Sequence, residues 1–169
     1  MQNNEYYMEL AVQEAKSSQQ NGGVAIGAVL VDTNSGQIIS KGRSTVKISH
    51  DPTAHAEVNA IREAAGKISS DDLFGYALFS TLEPCHMCLS AAAWARIPQL
   101  YFGAYRKDVD DTLFDIKGEF SDELESIRMN LRENISMKVV GGVMEQQCAD
   151  LLASYHDAPH HSQPDSNNS

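Results

Sequence analysis

The sequence predicts a three-layer α/β/α domain around a central five-stranded mixed sheet. Three observations predict it. Helical and extended segments alternate, in the order helix, β-hairpin, helix, strand, helix, strand, helix, strand, helix. Residues 24–31 form a nearly continuous apolar run, the pattern of a strand covered on both faces. Turn-forming clusters of Gly, Asn, Asp and Pro separate the segments.

Each element has its own signal. Residues 5–20 read as an amphipathic helix, because Met8, Ala11, Val12 and Ala15 recur at i, i+3, i+4 and i+7. Asn21-Gly22-Gly23 ends it. The apolar run 24–31 is the first strand, and the turn Asp32-Thr33-Asn34-Ser35-Gly36 returns the chain as an antiparallel strand over 37–40. Residues 43–50 read as a polar loop, and Lys41, Arg43 and Lys47 as the charges of a solvated hairpin. A helix runs from about Ala54 to Ala65, with Thr53 as candidate N-cap and Gly66 as its stop. Residues 76–80 are the third strand, and an alanine-rich helix over 84–96 stops before Pro98. The fourth strand is 99–103. An irregular acidic segment, 105–118, precedes a helix over 121–130 capped by Ser121, then a fifth strand over 137–140 and a last helix over 144–155. Residues 1–156 therefore read as one domain and 157–169 as a disordered polar tail, whose histidines carry no metal reading.

Composition narrows the function classes. A chain of 169 residues supports one sizeable core. No apolar run is long enough to span a bilayer, and the first residues lack the basic-then-apolar pattern of a signal peptide. Three cysteines, two of them assigned to metal below, point to a reducing cytoplasm, with Cys148 as a small buried hydrophobe. The formal net charge of −10 repels phosphate backbones and counts against a nucleic-acid substrate.

Two segments carry chemistry: Asp51-Pro52-Thr53-Ala54-His55-Ala56-Glu57 and Thr81-Leu82-Glu83-Pro84-Cys85-His86-Met87-Cys88. Together they read H-x-E…P-C-x-x-C, the signature of zinc-dependent nucleobase deaminases. One imidazole (His55) and two thiolates (Cys85, Cys88) supply three ligands for one tetrahedral Zn²⁺ and leave a position open, which marks a catalytic zinc. Cys85 and Cys88, three apart, share a helix face, with Pro84 in the first turn, so both sulfurs sit at a helix start that favours thiolate. The rival is a closed structural site completed by His86 or Cys148. His86 lies between the two cysteines on the helix and should point elsewhere.

On these motifs the chain resembles the cytidine-deaminase fold over about residues 5–155. The stretches 51–58, 60–64 and 84–89, with Trp94-Ala95-Arg96, resemble bacterial guanine deaminases; Thr81 to Cys85 and Arg96-Ile97 resemble bacterial tRNA adenosine deaminases equally well. The resemblance implies one zinc per subunit, a homodimer, and Glu57 as general acid and base that moves the proton while ammonia leaves. Where these families carry an asparagine at the end of the second strand, this chain has Ser44; where guanine deaminases present a phenylalanine it has Ile26. Ala54, Glu83, Trp94, Phe114 and Asp115 complete the candidate substrate contacts. The backbone at Glu83 and Pro84 would hold the leaving amine, while the Glu83 side chain reads as solvated or supporting. Trp94 reads first as core and second as pocket. Tyr155 would reach a partner subunit's site. The acidic segment and the net charge favour a free nucleobase or nucleoside, guanine or a related purine. The alternatives are a tRNA adenosine deaminase making inosine and a catalytically silent zinc module; Glu57 argues against the last.

Overall fold

Asn3 starts the first helix. Its side chain accepts the Glu5 N–H at 3.2 Å, capping α1 (Asn4–Gln20). The computed structural model describes residues 3–108 and 137–156. The buried stripe of α1 is Tyr7, Met8, Ala11, Val12 and Ala15, as the 3.6-residue spacing requires. The hairpin follows as β1 (Gly27–Asp32) and β2 (Ile38–Arg43). β1 begins later than its apolar run because the chain first turns: the Ile26 N–H donates to the Val24 carbonyl at 2.7 Å.

The loop expected over 43–50 holds a short helix, α2 (Val46–Ser49). Helix α3 (Ala56–Ile68) corrects two readings. Thr53 is not its N-cap; His55 occupies that position, and Thr53 instead donates its N–H and hydroxyl to Asp51 at 2.8 and 2.7 Å. Gly66 does not stop it; Ser69 does, in the left-handed region at φ 55°. Then come β3 (Tyr76–Leu82), α4 (His86–Trp94), β4 (Gln99–Ala104), a 3₁₀ turn (Arg106–Asp108), β5 (Lys138–Val140) and α5 (Glu145–His156). Pro84 precedes α4 rather than lying in its first turn; Cys85 is the N-cap. The helix expected over 121–130, most of the acidic segment and the tail after 156 lie outside the described residues.

The five strands order as β2-β1-β3-β4-β5, and the sheet is mixed as expected. β1 is antiparallel to both β2 and β3, while β3, β4 and β5 run parallel. The register sorts side chains by face. Val29, Phe79 and Tyr101 are successive partners on the face covered by α1 and α5, where Phe79 stacks on Tyr101 with centroids 4.6 Å apart. Ala28, Ser80 and Phe102 are partners on the opposite face, under α3, against which α4 packs. Glycines let the layers close. A Cβ on Gly27 would collide with the Ala11 carbonyl of α1, and one on Gly42 with the Ala56 carbonyl of α3.

The same register gathers the site. β3 ends at Leu82, and its Ser80 lies opposite Ala28, so the start of antiparallel β1 sits beside the end of β3. Gly27 in turn pairs with Arg43 at the end of β2. Ile26, Ser44 and Glu83 therefore leave the sheet at one edge, where the starts of α3 and α4 also lie. That edge is the carboxyl end of the parallel strands, where open α/β sheets hold ligands.

Candidate active site

His55 and Cys85 are both N-cap residues, of α3 and α4, with extended backbone at ψ 156° and 168°. Cys88 lies one turn into α4. Two helix starts thus point three donors at one place, and their dipoles favour negative charge there. The His55 Nδ1 lies 3.4 Å from the Cys88 Sγ and 3.6 Å from the Cys85 Sγ, and the two sulfurs are 3.5 Å apart. Bond lengths of about 2.3 Å to sulfur and 2.0–2.1 Å to nitrogen around a tetrahedral zinc give edges of about 3.8 Å between sulfurs and 3.5 Å between nitrogen and sulfur. The observed triangle has that size, so the donor set fits zinc. Among the described residues it is the one His, Cys, Asp and Glu group compact enough to hold a metal ion.

No fourth protein ligand joins this triangle among the described residues. Cys148 lies against Gly103 on the α5 side of the sheet, the far face from Ser80. Burial pushes its thiol up to about 12, the behaviour of an inert buried sulfur. The closed-site rival has no support from either of its candidates.

The charges interact strongly. The Cys85 thiol is drawn down to about 3, chiefly by its hydrogen bond with Cys88. Cys88 is pushed up by that same contact and by burial. His55 is raised by its hydrogen bond to Cys85. Glu57, on the first turn of α3, is 3% exposed, and burial raises its pKa above the ordinary carboxylate range. The Ser80 hydroxyl donates to Glu57 Oε1 at 3.1 Å and partly opposes that rise. Glu57 also touches Cys88 yet stands outside the ligand triangle. A buried carboxylate beside a metal site, held by its own backbone N–H and the Ser80 hydroxyl, is placed to take and give a proton.

A cavity of about 230 Å³ opens beside these groups, lined by Val24, Ile26, Ser44, Val46, Lys47, His55, Ala56 and Glu57. Ile26 and Ser44, expected as substrate contacts, are both on its wall. Ser44 is fixed through its backbone: its N–H donates to Ile26 at 3.0 Å, and its carbonyl accepts the Ser18 hydroxyl at 2.7 Å.

Other candidates are placed differently. Ala54 is buried but off the cavity wall, and its carbonyl accepts from Thr45 N–H at 3.0 Å and Asn59 Nδ2 at 3.3 Å. Glu83 is a clamp: its carboxylate accepts the Arg106 N–H at 3.0 Å and its carbonyl accepts Arg106 Nε at 3.1 Å, tying the end of β4 to the end of β3. Trp94 is neither core nor cavity wall, being 59% exposed. At 100° per residue it lies about 240° around α4 from Cys88, so it faces away from the site. Tyr155 is buried within its own chain, and its hydroxyl accepts from Lys47 Nζ at 2.7 Å. Phe114 and Asp115 lie outside the described residues.

Sequence reasoning missed Lys47, Val46 and Asn59. The supposed solvated hairpin charges have separate duties: Lys41 pairs with Glu14 at 3.4 Å, Arg43 donates to Ser17 Oγ at 2.8 Å, and Lys47 lines the cavity. Asn59, one turn after His55, donates its side-chain amide to the Arg43 carbonyl at 2.9 Å and to Thr45 Oγ1 at 3.1 Å, stapling the β2–α3 loop to α3. Its spacing of four from His55 was the available signal.

Known proteins share this arrangement. The family described as "Cytidine and deoxycytidylate deaminase zinc-binding region" matches residues 1–104. A tRNA-specific adenosine deaminase of Bacillus subtilis (strain 168) is 36% identical over 155 residues, 92% of this chain and 89% of that protein. A solved structure from a study of A-to-I editing by tRNA:A34 deaminases at the wobble position of transfer RNA superposes with a TM-score of 0.72 at 34% identity, covering 87% of this chain and 99% of that one. A guanine deaminase of Bacillus subtilis superposes with a TM-score of 0.60 at 30% identity, covering 80% and 99%.

Proposed function

Since the chain belongs to the cytidine and deoxycytidylate deaminase zinc-binding family, with zinc as its cofactor and hydrolytic deamination as its chemistry, we propose that its substrate is an adenosine in tRNA, which it converts to inosine. The observation that carries this reading is the 36% identity to a tRNA-specific adenosine deaminase over 92% of the chain. It reverses the preference that the net charge of −10 suggested. Global charge repels a polyanion at long range, but it does not decide what a local cavity contacts. A cavity of about 230 Å³ takes a base and not a polynucleotide, so the target base enters it alone, out of its stack.

His55, Cys85 and Cys88 hold the zinc. Bound there, zinc supplies hydroxide at neutral pH by lowering the pKa of water to about 7. Glu57 does the proton work. It accepts the proton of the attacking water and delivers it to N1 of the purine as oxygen adds to C6. It then takes the proton of the new C6 hydroxyl and delivers it to the departing amine as the C6–N bond breaks and the carbonyl forms, so adenosine and water leave as inosine and ammonia. Ser80 holds the Glu57 carboxylate in place for both transfers. Ile26 packs against the base, and the Ser44 hydroxyl donates or accepts at its edge. The enzyme acts in the cytoplasm as a homodimer in this reading. Among the described residues, no helix is long and apolar enough to cross a membrane.

A second reading is a free purine base such as guanine, favoured by the base-sized cavity and the acidic surface. One assay separates the two. The zinc-loaded protein is incubated with tRNA bearing adenosine at the wobble position and, separately, with guanine, adenine, cytosine and their nucleosides. Inosine in the tRNA without ammonia from the free compounds is the expected result. Ammonia from guanine with no inosine in tRNA would overturn it.

A further inference from the structure

Lys47 is the one lysine or arginine on the cavity wall among the described residues. It sits on α2, the short helix that interrupts the β2–α3 loop. Its ammonium donates to Tyr155 Oη at 2.7 Å and lies 5.2 Å from the centre of that ring. Tyr155 is buried on α5, so the contact pins a solvent-facing loop charge to a rigid element. An ammonium has three donors, and Tyr155 takes one. Among the described residues the other two are not taken up, which leaves them for oxygens arriving at the cavity mouth. The other cavity-wall groups are apolar, a hydroxyl, or the imidazole and carboxylate of the chemical site. In a molecule of net charge −10, a cation held at this place is chemically distinct from the rest of the cavity wall.

We propose that Lys47 binds a phosphate of the RNA strand flanking the base in the cavity, with Tyr155 as the residue that positions it. The inference rests on the tRNA reading above and adds a specificity determinant to it. Phosphate contacts fix register on a nucleic acid, and a lysine serves as a point charge to them. A free base has no phosphate, so Lys47 separates a base within a strand from a base in solution.

The test measures binding, not turnover. A fluorescently labelled anticodon stem-loop is titrated with the wild-type protein and with Lys47→Met, across a salt series, by anisotropy. Removing one phosphate contact should weaken binding about ten-fold at low salt and reduce the slope of log affinity against log salt by about 0.7. Lys47→Arg should restore the slope, and Tyr155→Phe should give a smaller loss. Competition by adenosine, which carries no phosphate, should be the same for wild type and Lys47→Met. The melting temperature of Lys47→Met should match wild type, because the methionine keeps the stem. Wild-type affinity and slope in Lys47→Met would overturn the proposal. So would a loss shared equally with adenosine, which is the mark of a merely structural lysine, or an effect confined to adenosine 5′-monophosphate. The two readings fail separately. Lys47-dependent stem-loop binding without inosine formation would sink the substrate assignment alone, and inosine formation with an unaltered salt slope in Lys47→Met would sink the phosphate contact alone.

Discussion

The metal triangle and the cavity wall share His55 yet are built in opposite ways. The triangle comes from two helix starts, one giving His55 and the other Cys85 and Cys88 one turn apart, so three donors lie within 3.6 Å of one another. The cavity wall comes from the approach to β1, the exit of β2, α2 and the start of α3, segments brought together only by the sheet register. The first is dictated by the ligand chemistry of the metal, which limits the residue types allowed. The second is dictated by the shape and hydrogen bonding of whatever the cavity takes.

Substitutions at the metal end should give the largest effects and the cleanest separation. Glu57→Gln should keep zinc near one per chain but lower kcat by about 10²–10⁴-fold, the usual worth of a positioned acid–base group. Cys88→Ala should lose both zinc and turnover, read by metal analysis of the purified variant. If Glu57→Gln also lost the metal, the division between ligand and proton carrier would be wrong.

Next come the packing contacts that join the two regions. Gly42→Ala places a methyl against the Ala56 carbonyl and 2.6 Å from the Ala60 nitrogen. It should destabilise the fold by about 1–3 kcal/mol in chemical denaturation, as overpacking does. It should also disturb turnover, because α3 carries both His55 and Glu57. Gly66→Ala in the same helix meets nothing within 4 Å and should instead stabilise by about 0.5–1 kcal/mol.

A smaller effect is a shift in pH profile. Burial raises the Glu57 pKa and the Ser80 hydroxyl lowers it. A general base must be ionised, so activity falls as pH drops through this pKa. Removing the donor in Ser80→Ala raises the pKa further, and the acid limb of kcat/KM should move to higher pH. A limb moved to lower pH would mean that Ser80 supports the protonated form. The smallest effect belongs to Trp94→Ala, which should change stability by no more than about 0.5 kcal/mol and leave KM unaltered, because the residue is exposed and off the cavity wall.

Legibility followed the same division. His55, Glu57, Cys85 and Cys88 were readable because their spacing is local: H-x-E and C-x-x-C fix geometry within single helix starts. The inner strands were readable because burial on both faces leaves continuous apolar runs, as β1 shows, whereas the edge strand β2 reads short because Lys41 and Arg43 are exposed. Helix starts were less so. Thr53 looks like a cap by composition, but Asp51 claims its N–H and hydroxyl, and the chain enters α3 at His55. Trp94 was misplaced because an aromatic residue on an apolar helix suggests burial, whereas nothing in the sequence says which turn of α4 ends outside the core.

The primary sequence alone determined the zinc, the carboxylate two residues from one of its donors and the layered α/β architecture, since each depends on local spacing or on periodicity. Only the tertiary structure decided that Ile26, Ser44 and Lys47 share one wall, that Glu83 clamps Arg106, and that Tyr155 reaches back 108 positions to hold Lys47. Those contacts depend on strand order and register, which pair distant segments through backbone hydrogen bonds and leave no local pattern to read.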